Sequence, residues 1–310
     1  MRLTLGDILR AQQRLKPHLP LSPLESASDL SGKIWLKLEN ANKTHSFKIR
    51  GALNAILSLD EAARARGIIA ASSGNHAAAV AYAAQLTGAS AQILMPTTTP
   101  KKKVANVRRY GAEAVLFGDN YDQAEAEALC RVAAGRTWVS PYNDPRVIAG
   151  AGTIGLEICE QLSSVQRVVV PVSGGGLIAG VATAVKEMSA DIEVIGVNAE
   201  SAPAMYNLFH AEDRPQVWDT LADALSGDIE AGSITVPICR RYVDDVVLVS
   251  ESQIAAAMRA LLAWGWVVEG GGAVGVAAVQ QDVIPADGRE TAVVVSGGNV
   301  DLAVLQGVIS

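Results

Sequence analysis

The chain alternates short apolar runs with longer stretches whose apolar positions recur every three to four residues. Runs at 34–38, 67–71, 91–95, 114–117, 167–171, 193–197, 243–249 and 291–295 are nearly continuous in Val, Ile, Leu and Ala. Such runs predict strands covered on both faces. The stretches 75–86, 100–110, 121–134, 177–188 and 251–264 predict the intervening helices, and 5–15 predicts an amphipathic helix ahead of them. Pro17, Pro20 and Pro23 then hold the chain extended. Strands alternating with helices imply an α/β fold of open, mostly parallel sheets flanked by helices. No repeat, low-complexity tract or flexible linker interrupts the pattern, so any division into domains must come from the chain crossing between them.

Composition narrows the function. The 310 residues are 49% hydrophobic and 19% charged, enough apolar material for a sizeable core. A net charge of −6 argues against nucleic acid and acidic membranes as partners. No apolar run is long enough to span a membrane. The start Met1-Arg2-Leu3-Thr4-Leu5-Gly6-Asp7 lacks the apolar core of a signal peptide, so a cytoplasmic location is expected. Cys130, Cys159 and Cys239 are scattered without metal-type spacing, which suits a reducing compartment and packing in the core.

The candidate chemistry lies at strand-to-helix junctions. Lys48 follows Phe47 just after the first strand, where a helix begins near Ile49. A lysine buried beside an aromatic loses its charge more readily and can attack an aldehyde, although a solvated lysine is the commoner case. The turn Ser72-Ser73-Gly74-Asn75-His76 brings hydroxyls and an amide to a helix N-terminus, which suits either an ordinary cap or a carboxylate site. In Ser173-Gly174-Gly175-Gly176-Leu177 three glycines let backbone N–H groups converge on one phosphate. That spacing is neither a dinucleotide fingerprint nor a P-loop. Ser296-Gly297-Gly298-Asn299 ends the last strand with a hydroxyl, a helix cap or a partner for a ring nitrogen. Ligands of open α/β sheets collect at such strand ends.

In this combination and order, over nearly the whole chain from Ser22-Pro23-Leu24 to Asn299, the sequence resembles the fold-type II pyridoxal-phosphate (PLP) enzymes, in their serine/threonine dehydratase and serine racemase branch. The resemblance implies that Lys48 bonds the cofactor aldehyde and then acts as the base at the substrate Cα. It implies that Phe47 packs near the cofactor, Asn75 bonds the ring hydroxyl, Ser173, Gly174, Gly175, Gly176 and Leu177 hold the phosphate, and Ser296 meets the pyridine nitrogen. Ser72, Ser73, Gly74, Asn75 and His76 would bind the substrate carboxylate, with Ser73 a candidate acid/base on the face opposite Lys48. It further implies a large domain of residues 1–50 and 141–310, a small mobile domain of 51–140, and a homodimer. The activity implied is an ammonia-lyase that turns a 3-hydroxy amino acid, such as threonine or serine, into a 2-oxo acid.

Some positions depart from that family. His45 stands where glycine is usual, Ala78 and Ala151 where glutamines are common, and Glu269 precedes three glycines rather than Pro-Ser/Thr-Gly. His45 would either narrow the substrate site or point to solvent. These departures bear on the substrate, and leave hydroxyaspartate or another 3-hydroxy amino acid in play. Some relatives bind a divalent cation, and Glu200 with the backbone of Ala204 matches that segment. Tyr206 replaces a second acid there, and one carboxylate makes a poor hard-cation site. Two other readings remain: a racemase of the same branch, and a non-catalytic protein that binds a phosphate ligand.

Overall fold

The computed structural model describes residues 3–30 and 32–310; Met1, Arg2 and Ser31 lie outside them, so the N-terminal stretch is followed from Leu3. The strands are Leu24–Ser26 (β1), Lys33–Leu38 (β2), Ile68–Ala71 (β3), Ala91–Met95 (β4), Glu113–Leu116 (β5), Thr137–Trp138 (β6), Arg167–Pro171 (β7), Glu193–Ala199 (β8), Asp245–Val249 (β9) and Glu290–Val295 (β10). They form two sheets. One has the order β1-β2-β10-β7-β8-β9, parallel except for β1, which runs antiparallel to β2 at the edge. The other has the order β5-β4-β3-β6 and is parallel throughout. The mixed α/β architecture with mainly parallel sheets agrees with the sequence pattern.

Both sheets are covered on both faces, which is why their strands lack polar alternation. In the six-stranded sheet Val168, Val170, Ala292 and Val294 enter one core, with the helices Leu5–Leu15, Pro145–Gln161 and Gly176–Met188. Val169, Val293 and Val295 point the other way, towards the helices Glu251–Ala263 and Gly270–Gln280. In the four-stranded sheet Ile68, Ala70, Ile93 and Met95 share a core with the helices Lys48–Leu57 and Asn75–Thr87, while Ile69, Ala71 and Leu94 face Ala124 and Ala128 of Tyr121–Ala133.

Most predicted bounds hold to within two residues. The structure adds β1 and β6, too short to show in an apolar pattern, the long helices Pro145–Gln161 and Gly270–Gln280, and the short helices Glu61–Ala65, Ala204–His210, Thr235–Tyr242 and Leu302–Ile309. The helix after β2 begins at Lys48, in keeping with the expected start near Ile49. Helix Pro145–Gln161 had a local signal: Asp144 caps it by accepting from Arg146 N, and Pro145 fills its first turn. Cys239 is buried as expected and Cys159 partly so, but Cys130 lies exposed on Tyr121–Ala133, a correction to the core assignment. Among the described residues no helix is long and apolar enough to cross a membrane.

A charged network fills the space between β2 and two helices. Arg50 is 2% exposed and pairs with Glu39 at 2.8 Å and Glu157 at 2.6 Å; Lys37 Nζ pairs with the same Glu157 at 2.6 Å. Ser22 donates to Glu39 and its carbonyl accepts from Lys37, so the proline-rich stretch is tied in as well. The network holds the helix that carries Lys48 against β2.

Candidate active site

The Lys48 helix is fastened to the end of β10 by main-chain contacts. Phe47 N donates to Ser296 O at 2.9 Å, Gly298 N donates to His45 O at 2.9 Å, and Ser46 bridges Gly297. Two segments about 250 residues apart in sequence are therefore in register, with Lys48 beside the Ser296 turn. At His45 the chain takes a left-handed φ of 55°. Glycine adopts that conformation freely and histidine tolerates it, which accounts for the residue change there in backbone terms. The His45 side chain is exposed, the solvent-facing alternative of the two.

Lys48 is half-buried. Its Nζ donates to Pro141 O at 2.9 Å and stands 5.1 Å from the Phe47 ring centroid. Burial pulls the amine from 10.5 down to about 8, against the opposing attraction of Glu269. A nucleophilic amine at a strand end is what an aldehyde requires.

The glycine loop lies across Tyr142, the residue after Pro141. A Cβ on Gly174 would come within 2.7 Å of the Tyr142 ring, and one on Gly175 within 2.7 Å of Met205. Gly175 also has a φ of 86°, open to glycine at no cost. Thr235 Oγ1 donates to Gly174 O at 2.7 Å and fixes the loop from behind. Gly174 to Leu177 are buried, and among the described residues no acceptor pairs with their N–H groups. Buried unpaired donors at the start of a 13-residue helix form a cradle for a phosphate. With the softened lysine and the Ser296 hydroxyl, the residues present fit PLP.

At the start of Asn75–Thr87, Ser72 and Ser73 are half-buried and Gly74 is exposed. Ser72 Oγ accepts from Gly74 N at 3.1 Å. His76 turns inward, 3% exposed, with Nε2 against Val139 O at 2.9 Å. A carbonyl only accepts, so Nε2 carries the hydrogen. Burial, and then the nearby Lys48 charge, push His76 down to about 3, and it stays neutral. With Nε2–H on Val139 O, the donor left at His76 for a carboxylate is its backbone N–H, and Nδ1 is buried without a partner among the described residues. Asn75 Nδ2 donates to Glu269 Oε1 at 2.6 Å, and its Oδ1 accepts from Asn299 Nδ2 at 2.8 Å.

Glu269 went unassigned by sequence reasoning, as did Tyr142, Thr235 and Asn299. A lone carboxylate ahead of three glycines in an apolar stretch was the available signal for Glu269; the others carry none. Glu269 is 6% exposed. Burial pushes it up to about 7, Asp223 adds to the rise, and the Asn75 hydrogen bond and the Lys103 charge pull against it. It lines a cleft of about 410 Å³ with Lys103, Asp223, Asn299 and Asp301.

The sequence comparisons identify the family. Residues 15–297 match the family described as pyridoxal-phosphate dependent enzyme. The chain belongs to that family. It is 45% identical to an L-threonine ammonia-lyase of Thermotoga maritima, over 99% of this chain and 78% of that one. It is 42% identical to the catabolic L-threonine dehydratase of Escherichia coli, over 97% and 94%. The structure of maize serine racemase superposes with a TM-score of 0.92 at 34% identity, covering 100% of this chain and 97% of that one. The chain is thus a PLP-dependent lyase of the serine/threonine dehydratase branch.

Away from the site, Glu200 is exposed beside a shallow cavity of about 340 Å³ that Tyr206, His210, Arg214 and Asp245 also line. The Arg214 guanidinium lies over the Tyr206 ring, 5.1 Å from its centroid. Among the described residues no three His, Cys, Asp or Glu side chains gather as a metal site.

Proposed function

We propose that the substrate is L-threonine or a close 3-hydroxy amino acid, which leaves as a 2-oxo acid and ammonia. The reading rests on the 45% identity to an L-threonine ammonia-lyase across 99% of the chain. PLP, when bound, supplies the electron sink for the pair of electrons released at the substrate Cα. Ser173, Gly174, Gly175, Gly176 and Leu177 hold its phosphate, Ser296 meets its ring nitrogen, Asn75 its ring hydroxyl, and Phe47 its flank.

Lys48 has two tasks in this reading. Its neutral amine would hold the cofactor at the aldehyde, and as a free amine it would take the substrate Cα proton onto Nζ. Pro141 O keeps Nζ aimed in the meantime. Ser72, Ser73, Gly74 and the N–H groups at Asn75 and His76 orient the substrate carboxylate at the positive end of the helix. Loss of the Cα proton and of the β-hydroxyl as water leaves an enamine, which hydrolyses to 2-oxo acid and ammonia. Ser296 is uncharged and, where it met the ring nitrogen, would not hold a proton there, which would favour loss of the β-group.

Racemisation is the second reading, favoured by the likeness to maize serine racemase; by the family resemblance Ser73 would then return a proton to the other face. We further place residues 51–140 in a small domain that closes on the substrate, and the enzyme as a cytoplasmic homodimer. The four-stranded sheet, built wholly within residues 68–138, supports that division.

The test is release of 2-oxo acid and ammonia from both enantiomers of serine and threonine, the hydroxyaspartates and phenylserine, with PLP present. Release from L-threonine is the expected result. Interconversion of enantiomers without release would overturn dehydration in favour of racemisation.

A further inference from the structure

The Asn75 amide sits within a hydrogen-bond chain whose direction is set by chemistry. Thr44 O can only accept, and it accepts from Asn299 Nδ2 at 2.9 Å. The other hydrogen of that nitrogen goes to Asn75 Oδ1 at 2.8 Å. Both hydrogens of the Asn299 side-chain amide are then spent, and Asn75 must present its oxygen to it. Asn75 Nδ2 therefore faces Glu269, whose Oε1 accepts one hydrogen at 2.6 Å. One Nδ2 hydrogen remains. A flipped Asn75 would set its oxygen against a carboxylate and its nitrogen against another donor. Glu269 cannot drift away, because its Oε1 fills the space where a Cβ on Gly297 would lie, and its own N donates to Gly297 O at 3.1 Å.

We infer that Glu269 is a positioning residue that clamps the Asn75 amide against Asn299, leaving a single N–H of Asn75 aimed at the cofactor. The clamp also joins the two sheets, since Asn75 follows β3 whereas Glu269 and Asn299 belong with β10 and its helix. An acceptor at position 269 is what the clamp needs, and its charge is secondary. Glutamine can supply the acceptor; alanine cannot. The inference rests on the role proposed above for Asn75.

The experiment is a double-mutant cycle on PLP affinity, measured on the apoprotein from the absorbance of the bound cofactor. Glu269→Ala and Asn75→Ala are each expected to weaken binding by about tenfold, the scale of one hydrogen bond. Glu269→Gln should stay within about threefold of the wild type. The double alanine variant should bind no more weakly than Asn75→Ala alone, and both single alanine variants should shift the absorbance maximum in the same direction. Additive losses, near a hundredfold together, or a glutamine variant as weak as alanine, would overturn the inference while leaving Asn75 its role. An Asn75→Ala variant with unchanged affinity would overturn both. Should Glu269→Ala fail to fold, Asn299→Ala opens the other side of the clamp from an exposed residue, and the same non-additivity with Asn75→Ala is required.

Discussion

At the scale of single residues, the decisive property is the state of one amine. With Lys48 at about 8, roughly a quarter of it is neutral at pH 7.5, against roughly one part in a thousand for an ordinary lysine. Deprotonation gives the reactive form, so the rate of PLP uptake by the apoprotein should climb with pH and level off above about 8. A rate still rising steeply at pH 10 would contradict the lowered value. Lys48→Ala should abolish the visible absorbance of the lysine-bound cofactor and cut turnover by about a thousandfold or more. His45 makes the opposite case. Its ring is exposed and its backbone left-handed, so His45→Gly should leave the urea midpoint unchanged or higher and move KM for threonine by less than about threefold.

Elements are held in place by close backbone approaches and by the buried charges. A Cβ on Gly150 would lie 2.4 Å from Arg50 O, and one on Gly180 would lie 2.3 Å from Ile148 O. Gly180→Ala therefore forces the helices Pro145–Gln161 and Gly176–Met188 apart, and should cost about 1–3 kcal/mol in urea unfolding. Arg50→Met leaves two buried carboxylates sharing Lys37 alone, and about 3–5 kcal/mol should be lost. The network also sets an acid limit. Burial raises the Glu157 carboxyl, but the charges and hydrogen bonds of Arg50 and Lys37 outweigh it and hold it below 4.5. A carboxyl lowered on folding stabilises above its unfolded value and loses that contribution as pH falls through the folded one. The wild type should therefore lose stability below about pH 4.5, and Glu157→Gln, weaker at neutral pH, should lose less on acidification.

For the whole molecule, the issue is how the two sheets meet over Lys48. Helix Lys101–Arg109 reaches across through Lys102–Asp301 at 3.2 Å, a well-exposed pair, and Lys103–Asp223 at 3.9 Å, where Lys103 is half-buried. Exposed pairs contribute little to stability. Reversing both lysines to glutamate should thus change the unfolding free energy by no more than ~1 kcal/mol. If the helix is part of a closing domain, the same change should raise KM for threonine with little effect on kcat, and added salt should blunt the difference. Light scattering should report twice the 32.3 kDa of one chain for the proposed dimer.

The alternating apolar runs determined the α/β class by themselves, because a strand buried on both faces cannot be written any other way. The lysine, the triple glycine and the terminal serine stood out in the sequence as candidates, since a reactive amine and a side-chain-free cradle have few substitutes among residue types. Other features waited for the tertiary structure. The exposure of His45 and the contact of His76 Nε2 with Val139 O could be read only from the folded chain. Glu269, Asn299, Tyr142 and Thr235 acquire their tasks only from neighbours far away in sequence. Glu39, Lys37, Arg50 and Glu157 read as ordinary charges along the chain. Folding packs them into one buried network, and burial is a property of three-dimensional packing that composition and spacing do not carry.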